Sequence, residues 1–163
     1  MYRVIVEKGN LGFSAAHFIT YGGKCERLHG HNYAVSAELE GELTGDRYVF
    51  DFVVLKKIIR QICNDMDHYF LLPEKNEHLT IKKLEGEWEV RFQERRYLFP
   101  EKDVLPLPVD NATAERLAEY ISEQVIKALP EEELPHLTAL TVGVEESPGQ
   151  TAFYRRLLSG EGA

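Results

Sequence analysis

Apolar and polar positions alternate near both ends of the chain and recur at helical spacing between them. Tyr2, Val4 and Val6 alternate with polar neighbours, which predicts a strand over Tyr2–Glu7. Gly9-Asn10 and Gly12 interrupt it, as a hairpin turn or as a bulge within one long strand, and extended character resumes over Phe13–Phe18. Tyr33, Val35, Ala37 and Leu39 alternate strictly and predict a strand over His31–Leu43. A turn at Thr44-Gly45-Asp46 leads to a short extended piece, Tyr48-Val49-Phe50. Asp51 then suits a helix N-cap, with Phe52, Leu55, Ile58, Ile59, Ile62, Cys63 and Met66 on one stripe.

A second helix is predicted from Thr113. Leu117, Ala118, Ile121, Val125 and Leu129 form its buried stripe, and Pro130 ends it. Thr138, Leu140, Val142 and Val144 alternate as a strand, Pro148-Gly149 turns the chain, and Thr151–Leu157 closes it. Between the helices, 73–108 is a long insert. Leu79-Thr80-Ile81 and Trp88–Phe92 flank Glu85-Gly86-Glu87, which predicts a hairpin, with Tyr97-Leu98-Phe99 as a third extended piece. The whole predicts an α+β fold: one domain over 1–163, an antiparallel sheet backed by two helices. A sheet covered on one side leaves edges and a face to protect, which oligomerisation would do.

At 163 residues the chain suits a single core. Its net charge of −8 argues against general nucleic-acid binding, which needs a basic face. No apolar run approaches the ~18 residues that span a bilayer, and Met1-Tyr2-Arg3 does not resemble a secretory leader. A cytoplasmic enzyme or binding protein is expected, with Cys25 and Cys63 as free thiols.

The strongest chemical signal is His17 followed by Cys25-Glu26-Arg27-Leu28-His29-Gly30-His31. His29 and His31 share a strand face, and His17 can pair across from them. Three imidazoles on one point suit a catalytic zinc site with an open fourth position, although iron, nickel or copper also accept this set. Cys25 is a base or nucleophile, activated by neighbouring cations such as Lys24 and Arg27 or by a metal, or a fourth ligand that would close the site. Cys63 lies on the buried stripe and reads as core. Asp67-His68 is a proton relay or a helix C-terminal cap. Glu145-Glu146 offers a carboxylate that could accept a fork of two hydrogen bonds, or a solvated turn charge. Glu115 opens the second helix, where the dipole alone would explain it.

Together these segments resemble a known family. Phe13-Ser14-Ala15-Ala16-His17, Cys25-x-x-x-His29-Gly30-His31-Asn32-Tyr33, Val49–Lys56, Asp67-His68, Thr113-Ala114-Glu115 and Val142-Gly143-Val144-Glu145-Glu146-Ser147 look like the 6-pyruvoyl-tetrahydropterin synthases and the related 6-carboxy-tetrahydropterin synthases of the queuosine pathway. The resemblance implies a tunnelling fold: a four-stranded antiparallel sheet with two helices on one face, and a bulge near Gly9–Gly12. It also implies a homo-hexamer built as a dimer of trimers, with sites between subunits. Zn2+ would sit on His17, His29 and His31. Cys25 would be the base, with Asp67 and His68 as acid/base partners. Glu146 would anchor the pterin, with Thr113, Ala114 and Glu115 lining its pocket. The implied reaction takes dihydroneopterin triphosphate to a pyruvoyl or carboxy product.

Glu26 departs from that pattern. Family members resembling Cys-Glu-x-x-His-Gly-His cleave the side chain of dihydroneopterin to 6-hydroxymethyl-dihydropterin for folate synthesis, so Glu26 is a second candidate base. The cations Lys24, Arg27, Arg155 and Arg156 are the candidates for holding a triphosphate. A zinc- or pterin-holding module without turnover is the reading of another class, and it would need none of Cys25, Asp67 and His68 together.

Overall fold

A computed structural model describes residues 1–158. The last five residues of the expected domain, 159–163, lie outside the described residues. The first strands, β1 (Tyr2–Val6) and β2 (Gly12–His17), pair antiparallel with two halves of β5 (His29–Gly41). Tyr2 faces Gly41 and Val6 faces Ala37, whereas Gly12 faces Ala34 and His17 faces His29. They form one line broken by three consecutive left-handed residues, Lys8, Gly9 and Asn10, with φ of 64°, 60° and 68°. This is the bulge, not the hairpin.

Between them lies a small two-stranded ribbon, β3 (Thr20–Tyr21) and β4 (Lys24–Cys25). Helix α1 (Phe52–Met66) starts at Asp51, whose Oδ1 accepts from the Val53 amide at 2.6 Å. Its buried stripe is Leu55, Ile59, Ile62, Cys63 and Met66. Phe52 was expected on that stripe but is 53% exposed, and its first-turn neighbours Val53 and Val54 are exposed with it, at 74% and 38%. Tyr48-Val49-Phe50 forms no strand; Val49 and Phe50 are buried in a bend ahead of the cap.

After α1 the chain forms β6 (Tyr69–Pro73), then β7 (Thr80–Leu84), β8 (Glu87–Phe92), β9 (Arg95–Pro100) and β10 (Val104–Leu107). Helix α2 (Ala114–Ala128) follows, capped by Thr113, and then β11 (Leu137–Ser147) and β12 (Gln150–Leu157). The main sheet has seven strands in the order β10-β6-β2-β5-β11-β12, with β1 beside β5.

The expected four antiparallel strands are therefore too few. β6 joins β2 and β10 joins β6, both in parallel. Asp67 and His68 pin this addition to β2: Asp67 Oδ1 accepts from the Ser14 amide at 2.8 Å, and the His68 amide donates to the Ser14 carbonyl at 2.6 Å. Tyr69-Phe70-Leu71-Leu72 is a short apolar run without alternation, as a buried parallel strand requires. That is why its pattern did not announce a strand.

One apolar cluster joins the inward side chains of β2, β5 and β11 (Phe13, Tyr33, Val35, Leu39, Val142) to Leu55 and Ile59 of α1 and Leu117, Ile121 and Val125 of α2. The insert is a three-stranded sheet, β7-β8-β9: the hairpin is present, and the third extended piece, Tyr97-Leu98-Phe99, lies in β9 and pairs with β8. It has its own apolar cluster, which takes in Phe18, Phe70, Val90 and Phe92. The Phe70 and Phe99 rings stack at 4.3 Å, and Phe18 and Tyr97 meet at 5.2 Å. None of the described helices is long and apolar enough to cross a membrane.

Candidate functional site

Strand register builds the histidine cluster. His17 ends β2 opposite His29, and His31 lies opposite Ala15, so all three rings project from the same face of the sheet. Their ligand atoms lie within 4.8 Å of one another, and His17 Nε2 is 3.1 Å from His29 Nε2. Gly30 serves the backbone here rather than the rings. A Cβ on it would lie 3.0 Å from the Ala15 carbonyl oxygen, so glycine lets β2 and β5 close up between the ligands.

Backbone carbonyls set the tautomers. His17 Nδ1 is 2.8 Å from the Ala112 carbonyl and His29 Nδ1 is 2.7 Å from the Arg27 carbonyl. A carbonyl only accepts, so each Nδ1 carries the proton and each Nε2 presents a lone pair. His31 Nε2 is buried without a hydrogen-bond partner among the described protein atoms. Three Nε2 atoms, two of them oriented by a hydrogen bond on the far side of the ring, are the donor set of a three-histidine metal centre. Burial pulls the His17 pKa below its ordinary value, against the pull of the Ala112 carbonyl and Glu146, which favours the neutral, ligating ring.

Two carboxylates approach this cluster. Glu26 Oε2 is 3.8 Å from His29 Nε2. Glu146 Oε1 is 3.4 Å from His31 Nε2, and its Oε2 is 4.0 Å from His17 Nε2. Glu145 turns elsewhere and accepts from the Gly149 amide and the Thr151 hydroxyl, so of the acidic pair only Glu146 faces the site. Glu146 shares a cavity of about 440 Å³ with Thr113, Ala114 and Glu115, within the size range of small-molecule pockets. All four expected pocket residues thus line one space, joined by Ile19, Gln150 and Thr151, which no motif signalled.

Cys25 ends β4 and is half-buried. Burial pushes its thiol up, and Glu26 adds to this; Arg95 works the other way without offsetting it. The expectation that Lys24 and Arg27 would activate the thiol is corrected: the cation that faces it comes from β9. Arg155 and Arg156 are also engaged, with Glu40 at 3.0 Å and Glu123 at 3.8 Å. Lys24 and Arg27 enter no ion pair among the described residues.

Asp67 and His68 form a pair, His68 Nδ1 to Asp67 Oδ2 at 2.7 Å. Asp67 rather than His68 caps α1, and His68 lies beyond it in a left-handed conformation, φ 63°. The hydrogen bond from the Ser14 amide, followed by His68, holds the Asp67 carboxyl below the usual range. His68 is 80% exposed by side chain and lines a cavity with Ser14, Asn32 and His31 of the cluster. Among the described residues no hydrogen bond or ion pair joins Asp67 or His68 to the three histidines.

Tyr33 was part of a motif without an assigned role. Its hydroxyl lies 3.1 Å from His17 Nδ1 and its ring stacks on Phe13 at 4.8 Å, so it supports the most buried ligand from below. Burial raises its pKa first, with Glu146 and Glu26 adding, so it remains a phenol.

Comparison with known proteins agrees with this geometry. The chain is 33% identical over 150 residues to the 6-carboxy-5,6,7,8-tetrahydropterin synthase of Bacillus subtilis, covering 90% of this chain and 82% of that one. It is 28% identical over 118 residues to the dihydroneopterin monophosphate aldolase of Pyrococcus furiosus, covering 72% of each. A solved Plasmodium vivax 6-pyruvoyltetrahydropterin synthase, a variant whose catalytic glutamate is replaced by alanine, superposes with a TM-score of 0.91 at 34% identity, covering 96% of this chain and 98% of that one. The sequence model of the 6-pyruvoyl tetrahydropterin synthases matches residues 8–157, and the chain belongs to that family of pterin lyases.

Proposed function

We propose that this protein is a zinc-dependent lyase that cleaves the three-carbon side chain of 7,8-dihydroneopterin or its phosphate, with Glu26 as the base. The observation that carries this reading is the placement of the two candidate bases. The Glu26 carboxylate stands 3.8 Å from a ligand nitrogen, while the Cys25 thiol is raised by burial and faces the insert. A glutamate is also the residue described as catalytic in the Plasmodium vivax relative.

His17, His29 and His31 would hold the zinc, which supplies Lewis acidity to the side-chain oxygens. Glu146 would accept from the amino and ring N–H donors of the pterin edge, as carboxylates do with guanidine-like forks. Glu26 would take the proton of the C2′ hydroxyl. As that oxygen becomes a carbonyl, the C1′–C2′ bond breaks and its electron pair enters the ring imine. Protonation at C1′ then leaves a 6-hydroxymethyl-dihydropterin and a two-carbon aldehyde.

A second reading has Cys25 as the base and dihydroneopterin triphosphate as substrate, giving a pyruvoyl or carboxy product. The likeness to the Bacillus subtilis synthase supports it. The pairing of Arg155 and Arg156 with carboxylates leaves fewer cations for a triphosphate and favours the first. Substrate incubation followed by chromatography and mass spectrometry separates the two by product. Glu146→Gln is expected to raise KM about 10-fold or more, the worth of a charge-assisted hydrogen bond, and an unchanged KM in steady-state kinetics would remove its role as anchor.

The site is read as shared between subunits of a homo-hexamer. Among the described residues no hydrogen bond or ion pair joins Asp67 or His68 to Glu26 or the histidines, and Phe153 and Leu157 of β12 are 66% and 69% exposed. Mixing the His68→Ala and Glu26→Gln proteins, each impaired alone, is expected to recover part of the activity after subunit exchange. No recovery in exchanged mixtures would place both residues in one subunit's site.

A further inference from the structure

Arg95 opens β9 in the inserted sheet, yet it reaches the segment that carries both candidate bases. Its Nη2 donates to the Cys25 carbonyl at 2.8 Å and to the Glu26 carbonyl at 3.1 Å. Its guanidinium lies over the rings of Phe92 and Tyr97, 5.7 Å and 5.9 Å from their centroids. Those aromatics belong to or pack on the cluster that also holds Phe18, the residue after the ligand His17, and Cys25 packs against the same cluster. A cavity of about 410 Å³ separates Gly23, Lys24 and Cys25 from the Phe92–Arg95 turn.

The segment from Phe18 to Glu26 is therefore tied to the insert at both ends. One tie is apolar, through Phe18 against Tyr97; the other is polar, through Arg95 on two consecutive carbonyls. The backbone bonds near the polar end are local to the segment itself: the short β3–β4 pairing of Thr20 with Cys25, and the Glu26 amide to the Ile19 carbonyl at 3.0 Å. A guanidinium suits this task because its fork of donors is planar and fixed, whereas an ammonium is a point charge on a flexible stem.

We propose that Arg95 is a positioning residue: the inserted sheet uses it to hold the Cys25–Glu26 backbone so that Glu26 faces the histidine cluster and Cys25 faces the insert. Its consequence for catalysis rests on the lyase assignment above; the positioning itself does not. Insert and motif then form one working unit, and the insert's contribution is made through the base-bearing segment rather than through a substrate contact.

The test uses the full-length, zinc-loaded protein with Arg95→Met and Arg95→Lys, read by amide hydrogen exchange and by kinetics. In Arg95→Met, exchange in peptides covering residues 21–28 is expected to rise roughly 10- to 100-fold, the range for losing hydrogen bonds to a charged group. Exchange over 80–92 and the zinc content should be unchanged. The kcat should fall by a similar factor with KM within about 2-fold, and Arg95→Lys should restore part of both. Unchanged exchange over residues 21–28 would overturn the proposal. So would equal loosening of the whole insert, or a rise in KM at constant kcat. If the parent protein turns over no pterin, the lyase assignment fails, while the exchange result still decides the positioning.

Discussion

Glu26→Gln is expected to lower turnover of dihydroneopterin by about 10²–10⁴-fold, the usual contribution of a positioned general base, while zinc content stays at the wild-type level. The replacement keeps the shape of the side chain and removes only the ability to take a proton. The carboxylate is half-buried and stands 3.8 Å from the ligand nitrogen of His29. The contrasting variant is Cys25→Ala, which should retain zinc and leave side-chain cleavage within about 10-fold of the parent. The thiol packs against the insert's apolar cluster and burial pushes it up, so on this reading its loss removes packing more than chemistry. Steady-state kinetics on both variants, with metal analysis, checks the pair. Full activity in Glu26→Gln would transfer the role of base to Cys25.

His29→Ala should reduce bound zinc to a small fraction of the parent's, measured by elemental mass spectrometry after dialysis, and turnover should fall with it. His29 is the informative choice among the three ligands. Its side chain is 38% exposed and its ring is held by the neighbouring Arg27 carbonyl, so truncation leaves the core intact. His17, at 1% exposure beneath Tyr33 and bonded to Ala112, would confound metal loss with a cavity. Two remaining imidazoles cannot complete a three-ligand site, and a zinc content equal to the parent's would show that the ligand set is wrong.

Much of this was legible in the chain because each signal was local. Asp51 and Thr113 cap the helices where their spacing placed them, and the alternation of β5 put His29 and His31 on one face. The bulge was legible only as an alternative, since Gly9-Asn10 permits either a reversal or a left-handed step. What stayed hidden depends on contacts distant in sequence. β6 and β10 pair in parallel across the insert and lack alternation. Arg95 is one of several arginines in the insert, and only the fold brings it to Cys25. The Ala112 carbonyl that fixes the His17 tautomer has no side-chain signature at all. The docking of Asp67-His68 on the Ser14 backbone likewise pairs groups more than fifty residues apart. Adjacency to the motif in sequence also misled: Lys24 and Arg27 flank Cys25 in the chain, while β9 supplies the cation that meets its thiol.

The most direct measurement is product identification from zinc-loaded protein given dihydroneopterin, its monophosphate and its triphosphate in separate incubations, with the Glu26→Gln and Cys25→Ala proteins alongside. A 6-hydroxymethyl-dihydropterin with a two-carbon aldehyde, lost in Glu26→Gln and kept in Cys25→Ala, is the predicted result. Release of triphosphate with a pyruvoyl or carboxy product, kept in Glu26→Gln and lost in Cys25→Ala, would contradict it.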